Sequence, residues 1–226
     1  MTEYVLVAGA WLGAWAWDDV VGELSTAGHG VHPVTLSGVA ERAGEPGGQQ
    51  AHVQDIVDVV ERADLRDVVV VGHSYSGIPV GQAAERIGSR LRRVVFVDSN
   101  VPSNGESFTS RWSAERVAEL TESGYWPPLT AEDYAGQGLS ADQITRIVDG
   151  STPHPAASLT EPAVLAGSLA ELPATYLKCL LDGDTPSPDV VALLESDRWE
   201  LVELNTGHWP MFSQPAELAR VLLAAG

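Results

Sequence analysis

Thiols and positive charge are scarce in this chain, and each scarcity removes a class of function. Cys179 is the only cysteine in 226 residues, so no intrachain disulfide can form and no cysteine-based metal set can assemble. It lies in the apolar run Tyr176 to Leu181, which suits a buried structural thiol better than a reactive one. Lysine and arginine together number 13 against 31 aspartates and glutamates, a formal charge of −18. That field repels phosphate backbones and anionic membranes, so nucleic acid is not expected as a partner. Long hydrophobic runs are missing too. The apolar start, Tyr4 to Trp17, is too short to span a bilayer and is broken by Gly9 and Gly13. It follows Thr2 and Glu3 where a signal peptide has basic residues. The expectation is a cytoplasmic protein without a membrane segment, acting on a small molecule. A homodimer is compatible with the sequence, and no metal or cofactor is called for.

What is present is ordinary for a globular protein: 44% apolar and 19% charged residues, in a length that suits a single domain over 1–226. Strand-like runs at Tyr4–Val7, Gly30–Leu36, Val68–Val71, Val94–Asp98, Ala174–Leu181 and Trp199–Leu204 alternate with helix-like runs at Trp17–Ala27, Gln50–Ala63, Ile78–Ile87 and Ser187–Ser196. Pro215–Ala225 reads as a closing helix. This alternation predicts an α/β fold, a mostly parallel, doubly wound sheet covered on both faces. The stretch of about 101–172 breaks the pattern. It holds helical pieces at Ser113–Ser123, Ser140–Val148 and Glu161–Leu169 but no convincing strand, and it is rich in proline, glycine and aromatics. It reads as a small helical cap inserted into the sheet.

The most informative segment is Val70-Val71-Gly72-His73-Ser74-Tyr75-Ser76-Gly77. A valine strand stops at a glycine, a serine follows two residues later, and a helix begins. That is the layout of a nucleophile elbow, G-x-S-x-G, in which the serine sits on a strained turn and its neighbours must be small. Here Ser76 stands at the second glycine position, with Gly77 just after it. The plain alternative is a serine that caps the next helix.

A serine hydroxyl needs a base, and imidazole suits that task near neutral pH. Of six histidines, His208 is best placed, in the loop Asn205-Thr206-Gly207-His208-Trp209-Pro210 after the last strand. His73 reads as a packing or hydrogen-bonding residue beneath the elbow. His154, in Thr152-Pro153-His154-Pro155, is placed with the substrate-contacting candidates, with a structural role as the alternative. The base in turn needs a carboxylate. Asp182, directly after the run Tyr176 to Leu181, is the choice; Asp184 is the reserve, and Asp98, after the Val94–Val97 strand, is a third candidate. An oxyanion calls for preset N–H donors, assigned to Tyr75 and to Ala10 in the glycine-containing loop Ala8 to Gly13. That loop is neither a phosphate cradle, since no Gly-Lys-Ser/Thr follows, nor a dinucleotide fingerprint. Trp11, Trp112, Trp126 and Trp209 suggest an apolar, aromatic substrate pocket, against the alternative of core packing.

With these residues in hand the chain resembles the α/β-hydrolase superfamily along nearly its whole length. Within it the likeness is to the plant methyl esterases and hydroxynitrile lyases and their bacterial relatives. The first loop, Ala8-Gly9-Ala10-Trp11-Leu12-Gly13-Ala14-Trp15, is similar to that group's H-G-A-x-H-G-A-W, with Ala8 and Leu12 in place of both histidines. Thr35 to Gly38, Asp67 to Gly77, Tyr176 to Asp182 and Gly207 to Pro215 are similar as well. The resemblance implies an α/β-hydrolase fold with a cap and a Ser74, Asp182, His208 triad. In the lyases a lysine next to or very near the histidine holds cyanide; here Trp209 follows His208, so hydrolysis is favoured. The expected activity is hydrolysis of a small apolar or aromatic carboxylic ester or lactone through an acyl-enzyme. The alternatives are a non-hydrolytic tailoring enzyme (cyclisation, dehydration or C–C cleavage) and a ligand-binding protein on the same scaffold.

Overall fold

The computed structural model describes residues 1–226. Six strands form one sheet: β1 Glu3–Val7, β2 Gly30–Val34, β3 Val68–His73, β4 Leu91–Val97, β7 Ala174–Cys179 and β8 Trp199–Leu204. Their order is β2-β1-β3-β4-β7-β8 and every neighbouring pair is parallel. The valine-rich strands are buried on both faces, as parallel strands with helices on each side must be. Along β1 and β3 successive side chains go to opposite cores: Val5, Val7, Val68 and Val70 to one, Tyr4, Leu6, Val69 and Val71 to the other.

The first core is closed by α2 (Gln49–Arg62) and α3 (Gly77–Ile87), the second by α1 (Asp18–Thr26) and the C-terminal helix Pro215–Ala225. The stripe expected at positions 53, 56, 57 and 60 is the buried face of α2. Two strands end two residues earlier than the sequence suggests. β2 stops at Val34, where the Thr35 hydroxyl accepts from Ala14 N and the chain turns away. β7 stops at Cys179 and continues as a 3-10 turn over Leu180–Asp182.

Between β4 and β7 lie α4 (Ala114–Ser123), β5 (Tyr125–Trp126), α5 (Ala141–Gly150), β6 (His154–Pro155) and α6 (Ala156–Thr160). β5 and β6 pair antiparallel, a two-residue ladder absent from the sequence reading. The helix predicted over Glu161–Leu169 does not form. Pro162 disfavours helical geometry at Glu161, and the N–H groups that a helix would use are held elsewhere. Leu165 N donates to Asn104 Oδ1, Ala166 N to Glu85 Oε2 and Gly167 N to Glu85 Oε1.

In an open parallel sheet, ligands bind beyond the carboxyl ends of the strands where the strand order reverses. Here that point lies between β1 and β3, flanked by the loop after β1 and the turn after β3. The elbow serine, the glycine loop and the ends of β4, β7 and β8 all meet there.

Candidate active site

Ser74 has φ of 55°, the left-handed conformation required of a residue that reverses a strand directly into a helix. The close approach of α3 to β3 explains Gly72: a Cβ there would lie 2.9 Å from Val80 Cβ and from the Ser76 carbonyl oxygen. Ser76 does not behave as a poor glycine. Its side chain is fully buried and its hydroxyl donates to Ala8 O, tying the elbow to the end of β1.

Ser74 Oγ lies 2.9 Å from His208 Nε2. On the far side of the ring, Nδ1 faces two carboxylates, Asp98 Oδ2 at 2.7 Å and Asp182 Oδ2 at 3.3 Å. In the neutral ring, Nδ1 therefore carries the proton toward the carboxylates, and Nε2 presents a lone pair to the serine hydroxyl. His208 N donates to Gln137 Oε1 at 2.7 Å, which holds the loop after β8 in place.

The two carboxylates differ. The Asp98 side chain is 2% exposed, and its Oδ1 accepts from Lys178 Nζ at 2.6 Å and from Cys179 N at 3.2 Å. Asp98 also has a left-handed φ of 43°. The Asp182 side chain is 41% exposed, with Gln137 Nε2 at 3.4 Å as its other neighbour. Asp98, third of the candidates read from sequence, is thus the nearer and better fixed partner. Asp182 is also at the ring, and Asp184 makes no hydrogen bond or ion pair there. Burial works against a charged His208, but the hydrogen bonds and charges of the two aspartates outweigh it and push the ring up to about 9. The hydrogen bond to His208 holds the Asp182 carboxyl below the usual carboxylate range, against the opposing effect of its partial burial.

Lys178 had no place in the sequence reading, although it is the only lysine of the chain. It is 5% exposed and bridges Asp98 Oδ1 to the Asp182 carbonyl oxygen at 3.0 Å. A lone lysine inside the apolar run Tyr176 to Leu181 was the available signal, because a buried ammonium requires a partner. Cys179 is fully buried, and burial pushes its thiol up, so it has no nucleophilic character.

The loop after β1 passes beside the nucleophile: a Cβ on Gly9 would lie 2.8 Å from Ser74 Cβ. Trp11 in this loop also has a left-handed φ, 69°. Trp11, Ser74 and Asp98 are three of the six non-glycine residues with positive φ, and all three stand at this site. Conformations of this kind cost about 1–3 kcal/mol each and persist where surrounding structure imposes them.

The expected aromatic residues divide. Trp11 packs on Trp126 with ring centroids 4.3 Å apart and donates Nε1–H to Trp126 O at 3.1 Å. Trp112 and Phe108 lie edge-on or tilted against Trp126 at 5.5 and 5.7 Å. A groove of about 280 Å³ lined by Trp112, Trp126, Leu120, Tyr125 and Arg116 adjoins this cluster. Trp209 is buried between His208 and Tyr134, at centroid distances of 5.0 and 4.6 Å. His154 is fully buried, its Nδ1 3.3 Å from Trp11 N and its Nε2 3.0 Å from Ser158 Oγ.

Comparison with known proteins agrees with this fold. The model of the Alpha/beta hydrolase family matches residues 4–221. The chain is 32% identical to the carbendazim hydrolyzing esterase of Nocardioides sp. (strain SG-4G), an alignment that covers 100% of both chains. It is 26% identical to methylesterase 9 of Arabidopsis thaliana, over 99% of this chain and 97% of that one. Among solved structures, an extracellular alpha/beta-hydrolase from a Paenibacillus species superposes with a TM-score of 0.85 at 22% identity, covering 100% of this chain and 99% of the other. No helix is long and apolar enough to cross a membrane.

Proposed function

This chain belongs to the α/β-hydrolase family, and on that premise we propose that it is a serine esterase cleaving small apolar or aromatic carboxylic esters through an acyl-enzyme. The observation that carries the reading is the continuous relay Ser74 Oγ–His208 Nε2 at 2.9 Å and His208 Nδ1–Asp98 Oδ2 at 2.7 Å.

Ser74 Oγ attacks the ester carbonyl carbon while its proton passes to His208 Nε2. The imidazolium is stabilised at Nδ1 by Asp98 and, at longer range, Asp182. The carbonyl oxygen becomes an oxyanion next to the N–H groups of Ala10 and Tyr75; the Ala10 N–H has no acceptor within the protein. Collapse of the tetrahedral intermediate breaks the ester C–O bond, and His208 returns the proton to the departing alkoxide. Water then attacks the acyl-enzyme with His208 again as base, releasing the acid and restoring Ser74. Every group in this sequence belongs to the chain itself, and no cofactor enters.

The substrate class rests on the aromatic cluster of Trp11, Phe108, Trp112 and Trp126 and on the relatives. A flat aromatic group fits such a cluster, and one relative is an esterase named for carbendazim while others are methylesterases. A methyl ester of a planar aromatic acid is therefore the substrate we assign. The segment between β4 and β7, which supplies three of those four rings, is read as a cap that sets this preference.

The test combines labelling with turnover. A fluorophosphonate probe should modify Ser74, and Ser74→Ala should lower kcat on an aromatic methyl ester by about 10⁴-fold or more. In isotope-labelled water the acid product should carry solvent oxygen. Near-full turnover by Ser74→Ala would defeat the assignment, and an acid without solvent oxygen would point to a non-hydrolytic reaction.

A further inference from the structure

The loop of Gly9, Ala10 and Trp11 contains no histidine, yet two buried histidines hold it from opposite sides. Gly9 N donates to His73 Nδ1 at 3.2 Å, and Trp11 N donates to His154 Nδ1 at 3.3 Å. The other polar groups of the loop are engaged as well. Gly9 O accepts from Leu12 N at 3.4 Å and Trp11 O from Thr152 N at 3.0 Å. Among the three N–H groups only that of Ala10, the middle one, is without an acceptor.

The second nitrogen of each ring fixes its tautomer. His73 Nε2 lies 2.7 Å from His208 O, which can only accept, so the proton is on Nε2 and Nδ1 offers its lone pair. His154 Nε2 lies 3.0 Å from Ser158 Oγ, whose own proton goes to Pro155 O at 2.8 Å. His154 is therefore also an Nε2–H imidazole. Both rings are at most 1% exposed, and burial holds both well below the ordinary histidine range. Staying neutral is a requirement of the arrangement, because an imidazolium has no lone pair for an amide.

The two histidines come from different parts of the chain. His73 precedes the nucleophile and bonds to the backbone of the base, so one ring links Gly9, Ser74 and His208. His154 lies on β6, in the segment between β4 and β7. Ser158, its partner, also accepts at its carbonyl from the Tyr75 hydroxyl at 3.2 Å. Tyr75 supplies the second N–H of the anion site, so His154 and Ser158 connect the two donors.

We propose that His73 and His154 are positioning residues which, by accepting at Nδ1 from the N–H groups on either side of Ala10, aim the Ala10 N–H at the oxyanion of the reaction. The inference deepens the serine-esterase reading and rests on it. Both rings are buried and act through the loop backbone, so their effect falls on the transition state, where the donor is needed, and not on binding of the neutral ester.

The experiment compares leucine and asparagine at each position, because asparagine Oδ1 takes the place of histidine Nδ1 as an acceptor while leucine cannot accept. Fluorophosphonate labelling of the unaltered enzyme at Ser74 is measured first; failure to label together with failure to hydrolyse takes down the esterase reading and this one with it. Given labelling, His154→Leu and His73→Leu should each lower kcat about 10- to 100-fold, below the full loss of a donor, with KM within about threefold. Affinity for a trifluoromethyl ketone, which forms the tetrahedral adduct, should fall in step with kcat. Asparagine should recover most of the lost kcat. If a leucine variant does not fold, asparagine is compared with glutamine, whose amide reaches toward the Nε2 position instead: higher kcat for asparagine supports the proposal. Folded leucine variants with unchanged kcat, a loss confined to KM, or asparagine no better than its comparator would overturn it.

Discussion

Two strands of the sheet, β4 and β7, are each followed by an aspartate near the same imidazole, and the two ends are built on different physics. At the end of β4, Asp98 sits in a left-handed backbone conformation with a nearly inaccessible carboxylate, every oxygen engaged by His208, Lys178 or Cys179 N. At the end of β7, Asp182 lies on an exposed 3-10 turn and approaches the ring at 3.3 Å. A buried, fully bonded carboxylate imposes direction and tautomer on its histidine. An exposed one acts chiefly through its charge, weakened by solvent. In the proposed mechanism this difference gives Asp98 the orienting role and Asp182 the electrostatic one.

Replacing each aspartate tests that division most directly. Asp98→Asn should lower kcat/KM by about 10²- to 10⁴-fold, because an amide facing Nδ1 favours the tautomer whose proton points at Ser74. Asp182→Asn should cost about tenfold or less under the same assay. A reversed ranking would make Asp182 the orienting carboxylate and Asp98 a structural anion.

Lys178 distinguishes the two ends by stability. Its ammonium and the Asp98 carboxylate are both nearly inaccessible, and removing one partner of such a pair typically costs about 3–5 kcal/mol. Lys178→Met should therefore shift the urea midpoint of unfolding strongly downward, and Asp182→Asn should leave it nearly unchanged. Equal midpoints for the two variants would mean that the buried pair contributes no more than the exposed turn.

The smallest expected effect is a displaced pH profile. His208 acts as a base only when neutral, and its neighbours push it up to about 9. The imidazolium dominates below that value, so kcat/KM should rise with pH up to about 9. Asp182→Asn removes one of the charges that raise the ring, and the limb should move toward lower pH. A limb that stays in place would show that Asp182 is not coupled to the ring.

Much of this site is legible in the sequence because its signals are local. Val68 to Gly77 spells a strand, a tight turn and a helix whatever the rest of the chain does, and His208 stands in a glycine-proline loop after the last strand. The α2 stripe at 53, 56, 57 and 60 needs only helical periodicity, and it is the buried face of that helix. Other features escaped for physical reasons. Glu161–Leu169 has helical composition, but the amides a helix would use are taken by Asn104 and Glu85, partners distant in sequence. Lys178 escaped because its partner Asp98 follows the neighbouring strand and is far away in sequence.

The sequence by itself determined the alternating α/β architecture, the elbow at Ser74 and the histidine that serves it, since each depends on short-range periodicity, turn chemistry and residue type. Only the tertiary structure decided which aspartate lies nearest to that histidine and which residues hold the Ala10 loop. Strand order sets β4 between β3 and β7, which brings Asp98 beside the elbow. Burial then gives Asp98, Lys178, His73 and His154 their roles: away from water each polar group must find a partner, and those partners are chosen by packing between segments far apart in the chain.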